Sequence, residues 1–152
     1  MIKYIDNFLN NEEIQYFIDI FLNKKLGIGD FTNDNLYRYY YVDLMNTNLK
    51  VKKFSKFIFS KFRVQMVNET INQIEIPHTH KDPWSFVIFL NEDFIGGEIV
   101  FDNVSYAPKT GDMIYFNGDE SHKVNNCIGN RYTLIGFMLN NPFETSIPNT
   151  LI

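Results

Sequence analysis

From residue 63 onward the chain is a series of short apolar runs, each cut off by turn formers. The runs cover residues 63–69, 74–80, 85–90, 98–101, 104–106, 113–116, 121–124 and 131–139, and Gly96-Gly97, Pro108, Gly111, Gly118 and Gly129 punctuate them. About eight short strands at such spacing are the pattern of a sandwich or barrel. The preceding stretch is different. Residues 2–8 read as a strand. Asn10 or Asn11 can cap a helix with Glu12 and Glu13 at its positive end, and Ile14, Phe17, Ile18, Phe21 and Leu22 recur at helical spacing. Gly27 and Gly29 open a loop, and the tyrosine-rich run 36–44 favours a pleated surface. Asn46 or Thr47 is the expected cap of a second helix over residues 49–62. Its apolar stripe is Val51, Phe54, Phe57, Ile58 and Phe62, and its lysines, Lys52, Lys53 and Lys56, form a solvated face. The expectation is a mostly β chain with helices near its N-terminus, divided into a helical support region (1–62), a barrel core (63–140) and an irregular tail (141–152).

A length of 152 residues suits one domain, and a 45% hydrophobic, 16% aromatic composition supplies its core. The formal net charge of -4 argues against nucleic-acid or anionic-membrane binding, which call for a basic excess. A lone cysteine, Cys127, excludes an internal disulfide and a cysteine zinc cluster. No apolar run is long enough to span a bilayer, and the opening Met-Ile-Lys-Tyr-Ile-Asp is no signal peptide. The expected location is cytoplasmic.

Chemistry concentrates at Ile-Glu-Ile-Pro-His-Thr-His-Lys-Asp, residues 74–82. His78, His80 and Asp82 are spaced two apart, so an extended backbone points all three to one face, continuing Ile74 and Ile76. The chain has one other histidine, His122. Two imidazoles and a carboxylate on one triangular face leave open positions and suit non-haem Fe(II). His80, Asp82 and His122 supply such a set. His78 and His80 with His122 are the competing one, in which Asp82 is a bystander.

Further residues follow in a fixed order: Phe89-Leu90-Asn91, Asp93-Phe94, Gly96-Gly97-Glu98, Pro108-Lys109, Gly111-Asp112, residues 113–116, His122, then Gly129, Arg131, Tyr132 and Thr133. Over residues 66–137 this order resembles the Fe(II)/2-oxoglutarate-dependent dioxygenases, in particular their prolyl 4-hydroxylase-like branch. The resemblance implies a double-stranded β-helix, a cupin-like jelly-roll barrel supported by two helices. It implies iron on His80, Asp82 and His122, with Arg131 pairing with the far carboxylate of 2-oxoglutarate and Thr133 adding a hydrogen bond. Guanidinium suits that task because it binds a carboxylate through two parallel bonds and stays charged when buried. Arg131 lies nine positions after His122, which on a hairpin returns it beside the metal but deeper. The implied activity is hydroxylation of a protein or peptide residue, proline in the branch's namesakes. 2-Oxoglutarate and O2 would be consumed, and succinate and CO2 released.

Two departures stand out. Phe89 occupies the place of a tyrosine whose hydroxyl usually meets the cosubstrate, and His78 creates the His-x-His alternative. Asn68 and Asn72 are candidates for the cosubstrate's near carboxylate, and Trp84 for a stacking residue at the mouth. Gly96 and Gly97 read as a backbone turn, Tyr115 and Phe116 as core. Two other functions fit the same residues: a cupin-type metal protein using His78, His80 and His122 without 2-oxoglutarate, and a ligand-binding barrel without catalysis.

Overall fold

The computed structural model describes residues 1–23, 37–69 and 77–143. In chain order come β1 (Ile2–Ile5), α1 (Asn11–Leu22), β2 (Tyr37–Tyr41), α2 (Leu44–Lys50) and a 3-10 turn (Lys52–Phe54). β3 (Phe59–Glu69), β4 (Trp84–Phe89), β5 (Ile95–Gly96) and β6 (Ile99–Phe101) follow, then β7 (Ser105–Tyr106), β8 (Met113–Asn117), β9 (His122–Val124) and β10 (Cys127–Met138). The loop at 27–35, Ile74, Ile76 and Asn72, and the tail beyond residue 143 lie outside the described residues. No helix among the described residues is long and apolar enough to cross a membrane.

Asn10 is the cap of α1. Its side chain accepts from the Glu13 N–H while the Glu13 carboxylate accepts from the Asn10 N–H, both at 2.9 Å. The second helix differs from its sequence reading. It begins at Leu44, because the Asp43 carboxylate accepts from the N–H groups of Met45 and Asn46, and it ends at Lys50. Val51, Phe54, Phe57 and Phe62 are buried as the stripe requires, while Ile58 is exposed; Phe54 lies in the 3-10 turn, Phe62 in β3, and Val51 and Phe57 in the connections on either side of the turn. Their spacing reflects an aromatic cluster rather than a continuous helix. Phe54 alone meets Phe8, Phe17, Phe57, Phe59, Phe62 and Phe86. Burying one such ring contributes roughly 1.5–3 kcal/mol.

The larger sheet runs β1-β8-β4-β10-β3-β2, with β5 also on β10; the smaller runs β7-β6-β9. Strand alternation separates two cores. On β10, Leu134 and Met138 face α1 and the Phe54 cluster. Ile135 and Phe137 face the other way and pack with Val87, Phe89, Ile114 and Phe116 against Ile99, Phe101 and Val124 of the smaller sheet. This second core is the barrel interior. The mostly β, helix-supported jelly roll expected from the sequence is therefore the fold that forms. β1 is fastened across β8 partly through Asp112, which accepts from the Tyr4 hydroxyl and from the Asn7 N–H.

Candidate metal centre

The backbone brings the first pair of histidines together. His78 and His122 form an antiparallel bridge, each N–H donating to the other's carbonyl at 2.9 and 3.0 Å. The His80 N–H donates to the Gly118 carbonyl at 2.7 Å, and the Gly118 N–H to the Pro83 carbonyl at 2.8 Å. Gly118 lies so close beneath this segment that a Cβ there would stand 1.8 Å from the Asp82 carbonyl oxygen. In the sequence this glycine is one turn former among several, and nothing local marks its contact with the histidine segment.

The ligand atoms of His78, His80 and His122 lie within 4.8 Å of one another and are the group of potential metal ligands found among the described residues. His80 Nε2 stands 3.0 Å from His122 Nε2. Two imidazole nitrogens at right angles around one ion, each about 2.1 Å from it, are about 3.0 Å apart, so this pair fits a metal with little movement. The Nδ1 of His122 is 3.0 Å from the Glu120 carbonyl oxygen. A carbonyl only accepts, so Nδ1 carries the proton and Nε2 presents its lone pair to the site. Burial pushes His80 down to about 3, helped by the nearby charges of His122, His78 and Arg63 and opposed by Asp82. Burial likewise pushes His122 down to about 4, against the pull of the Glu120 carbonyl. Both rings are neutral at pH 7, the form that binds a metal.

Asp82 is placed differently. Its carboxylate accepts from the Ser60 hydroxyl at 2.6 Å, outside the histidine group. Its charge still reaches His80.

Arg131 and Thr133 stand on the interior face of β10, because Thr133 and Ile135 occupy successive same-face positions and Ile135 is in the interior core. The two strands carrying His122 and Arg131 do not form the expected hairpin. β9 pairs with β6 in the smaller sheet and β10 with β3, β4 and β5 in the larger, so the chain crosses between facing sheets. Arg131 is 1% exposed. Its Nε donates to the Gly97 carbonyl at 3.1 Å, and its guanidinium lies 5.5 Å from the centre of the Phe89 ring. A Cβ on Gly97, whose φ is +77°, would meet the Phe94 ring at 2.7 Å, Arg131 Cδ at 3.0 Å and Arg131 Nε at 3.1 Å. Gly97 is thus a turn, as read, and also a wall of the arginine's slot. Thr133 is fully buried, and its hydroxyl has no hydrogen-bond partner. A buried, unsatisfied hydroxyl beside a buried guanidinium is a site made for an oxyanion.

The other candidates fall elsewhere. Alternation places Asn68 on the Met66 face of β3, opposite to the face of Gln65 that adjoins Thr133. Trp84 stacks on Tyr115, ring centres 5.1 Å apart, on the helix side of the sheet. Tyr115 and Phe116 are core residues. A cavity of about 190 Å³ adjoins His122 at the smaller sheet, lined by Pro77, Val100, Phe101, Asp102, Ser121 and Lys123.

A sequence profile of the 2OG-Fe(II) oxygenase superfamily matches residues 68–139. No curated protein sequence matches the chain. Among solved structures, an oxidoreductase of the 2OG-Fe(II) oxygenase family from Burkholderia pseudomallei is similar at 15% identity and a TM-score of 0.70, over 90% of this chain and 83% of that one. A Pseudomonas putida prolyl-4-hydroxylase is similar at 14% identity and 0.61, over 92% of each chain. A viral collagen prolyl hydroxylase from Paramecium Bursaria Chlorella virus-1, in complex with 2OG, is similar at 15% and 0.60, over 90% and 94%. At such identities these are likenesses of fold.

Proposed function

We propose, from the premise that this chain belongs to the 2OG-Fe(II) oxygenase superfamily, that it hydroxylates a residue of a protein or peptide, with proline as the first candidate. Fe(II) and 2-oxoglutarate are the cofactor and cosubstrate of the family. When bound, they supply with O2 the oxidising power for hydroxylation, releasing succinate and CO2. The residues present fit both. The convergence of His78, His80 and His122 within 4.8 Å carries the reading.

In this reading His80 and His122 hold the iron, with their open nitrogens already spaced for it. His78 is the third ligand, because its nitrogen belongs to the same group and the Asp82 carboxylate does not. A second set, His80, Asp82 and His122, draws support from the Asp82 charge felt at His80, and the Ser60 bond occupies only Oδ1 of that carboxylate. Arg131 takes the far carboxylate of 2-oxoglutarate and Thr133 donates its unpartnered hydroxyl to the same group. Phe89, Ile135 and Phe137 exclude water from the space between.

A peptidyl substrate is supported by the similarity to prolyl hydroxylases. The test is aerobic conversion of 2-oxoglutarate to succinate that requires Fe(II) and disappears in Arg131→Ala and His122→Ala. Equal turnover in those variants would overturn the proposal. A peptide gaining one oxygen atom by mass spectrometry would identify the substrate class.

A further inference from the structure

A second arginine, Arg63, faces the barrel interior and has no role in the reading above. It lies in the row Tyr41–Arg63–Ile135–Val87 of directly opposed residues, and Ile135 and Val87 belong to the interior core. Residues opposed in a ladder share a face, so Arg63 points inward with them. Its guanidinium carbon is 4.3 Å from the centre of the Tyr39 ring and 5.3 Å from that of Phe137. The Phe137 ring is in turn 4.8 Å from the His80 ring. Arg63 is half-buried, whereas Arg131 is sealed.

The two arginines occupy different depths. Arg131 pairs with Val67 and Arg63 with Ile135, four positions apart along β10, or about 13 Å at the rise of a strand. Arg131 is at the deep end and Arg63 at the row next to the histidines. They are placed for different partners. A cation on a wall otherwise made of Ile114, Ile135 and Val87 carries a desolvation cost that an apolar residue would avoid. A guanidinium beside aromatic faces keeps its charge in poor solvent and offers its edge for paired hydrogen bonds. Lys61, the preceding inward position on β3, adds positive charge at the exposed end.

We propose that Arg63, steadied by Tyr39 and Phe137, is a subsite for a carboxylate of the prime substrate, an acidic residue neighbouring the one that is oxidised. The proposal rests on the oxygenase reading above, which places the residue to be oxidised at the histidines, one aromatic ring from Arg63.

The test uses two small probes, N-acetyl-aspartyl amide and its neutral isostere N-acetyl-asparaginyl amide. Each is titrated into protein loaded with Zn(II), which is redox-silent, and 2-oxoglutarate. The aspartyl probe should bind roughly tenfold more tightly than the asparaginyl one, the difference expected of a charge-assisted pair. Arg63→Met should abolish that preference and Arg63→Lys retain part of it, with 2-oxoglutarate affinity unchanged in both. Equal binding of the two probes to wild type overturns the proposal, as does a preference that survives Arg63→Met. A parallel fall in 2-oxoglutarate affinity also overturns it, assigning Arg63 to the cosubstrate. Failure of the oxygenase reading would show separately, as absence of succinate from the wild-type Fe(II) protein, because the zinc titration requires no turnover.

Discussion

The Nε2 atoms of His80 and His122 lie 3.0 Å apart, in rings that burial holds neutral well below their ordinary range. In the unfolded chain both titrate near 6.5; in the fold they titrate at about 3 and about 4. Between those values the unfolded chain binds more protons than the folded one, so acid favours unfolding. The stability of the metal-free protein should be fully present above about pH 6.5 and fall progressively as pH drops toward 4 and then 3. Urea midpoints measured across that window check this. The part due to these rings should vanish in a His80→Asn, His122→Asn double variant, and an unchanged slope there would assign the acid sensitivity to other groups.

The ligand set separates on two single substitutions. Loss of a partner outside the coordination sphere typically costs about 10–100-fold in metal affinity. His78→Ala should exceed that range for Fe(II) or Zn(II), and Asp82→Ala, which frees the Ser60 hydroxyl, should stay within or below it. Equilibrium dialysis of both variants is the measurement. The reverse order would assign the third position to Asp82.

Gly97 faces Arg131 so closely that the smallest side chain enters the arginine's slot. Gly97→Ala should displace the guanidinium and weaken its bond to the Gly97 carbonyl. The positive φ adds roughly 1 kcal/mol of strain. The expected result is a 2-oxoglutarate KM raised about tenfold to a hundredfold with metal affinity retained, read by succinate release and by zinc titration on the same protein. An unchanged KM would mean that the Phe94 ring, the nearest atom to the new methyl, yields and Arg131 stays in place; an unchanged KM in Arg131→Ala would remove the arginine from the cosubstrate site.

Much of this arrangement was legible because its rules are local. The two-residue spacing of His78 and His80 announces a shared site, though Asp82 two places on turns to Ser60 instead, and short runs with turn formers announce a barrel. What was not legible depends on distant partners. Phe54 and Phe57 have helical spacing, yet their ring contacts come from Phe8, Phe17 and Phe86, so burial was predictable and backbone form was not. Asp43 outcompeted Asn46 and Thr47 as the cap because its carboxylate reaches two N–H groups. The choice between His78 and Asp82 turns on Ser60, and the slot for Arg131 on Gly97; neither pairing has a signature in the linear chain. Arg63 went unnoticed because its register against Ile135 appears only once β3 and β10 are paired.

Thr133 and Phe89 are opposite each other on β10 and β4, and they give a prediction of opposing signs. The Thr133 hydroxyl is buried and unsatisfied, so in the protein without cosubstrate it is a net cost. Thr133→Val keeps the shape and removes the hydroxyl. It should raise the stability of that form by about 1 kcal/mol while weakening 2-oxoglutarate binding roughly fivefold to tenfold. Phe89→Tyr adds a hydroxyl on the same face, beside the Arg131 guanidinium. It should lower the stability of the empty protein, because another polar group is buried there, and strengthen 2-oxoglutarate binding by supplying a donor. Thermal melts with and without 2-oxoglutarate read both effects together. If Thr133→Val loses stability and leaves 2-oxoglutarate binding intact, the hydroxyl serves the fold, and the oxyanion site must be sought elsewhere in the barrel.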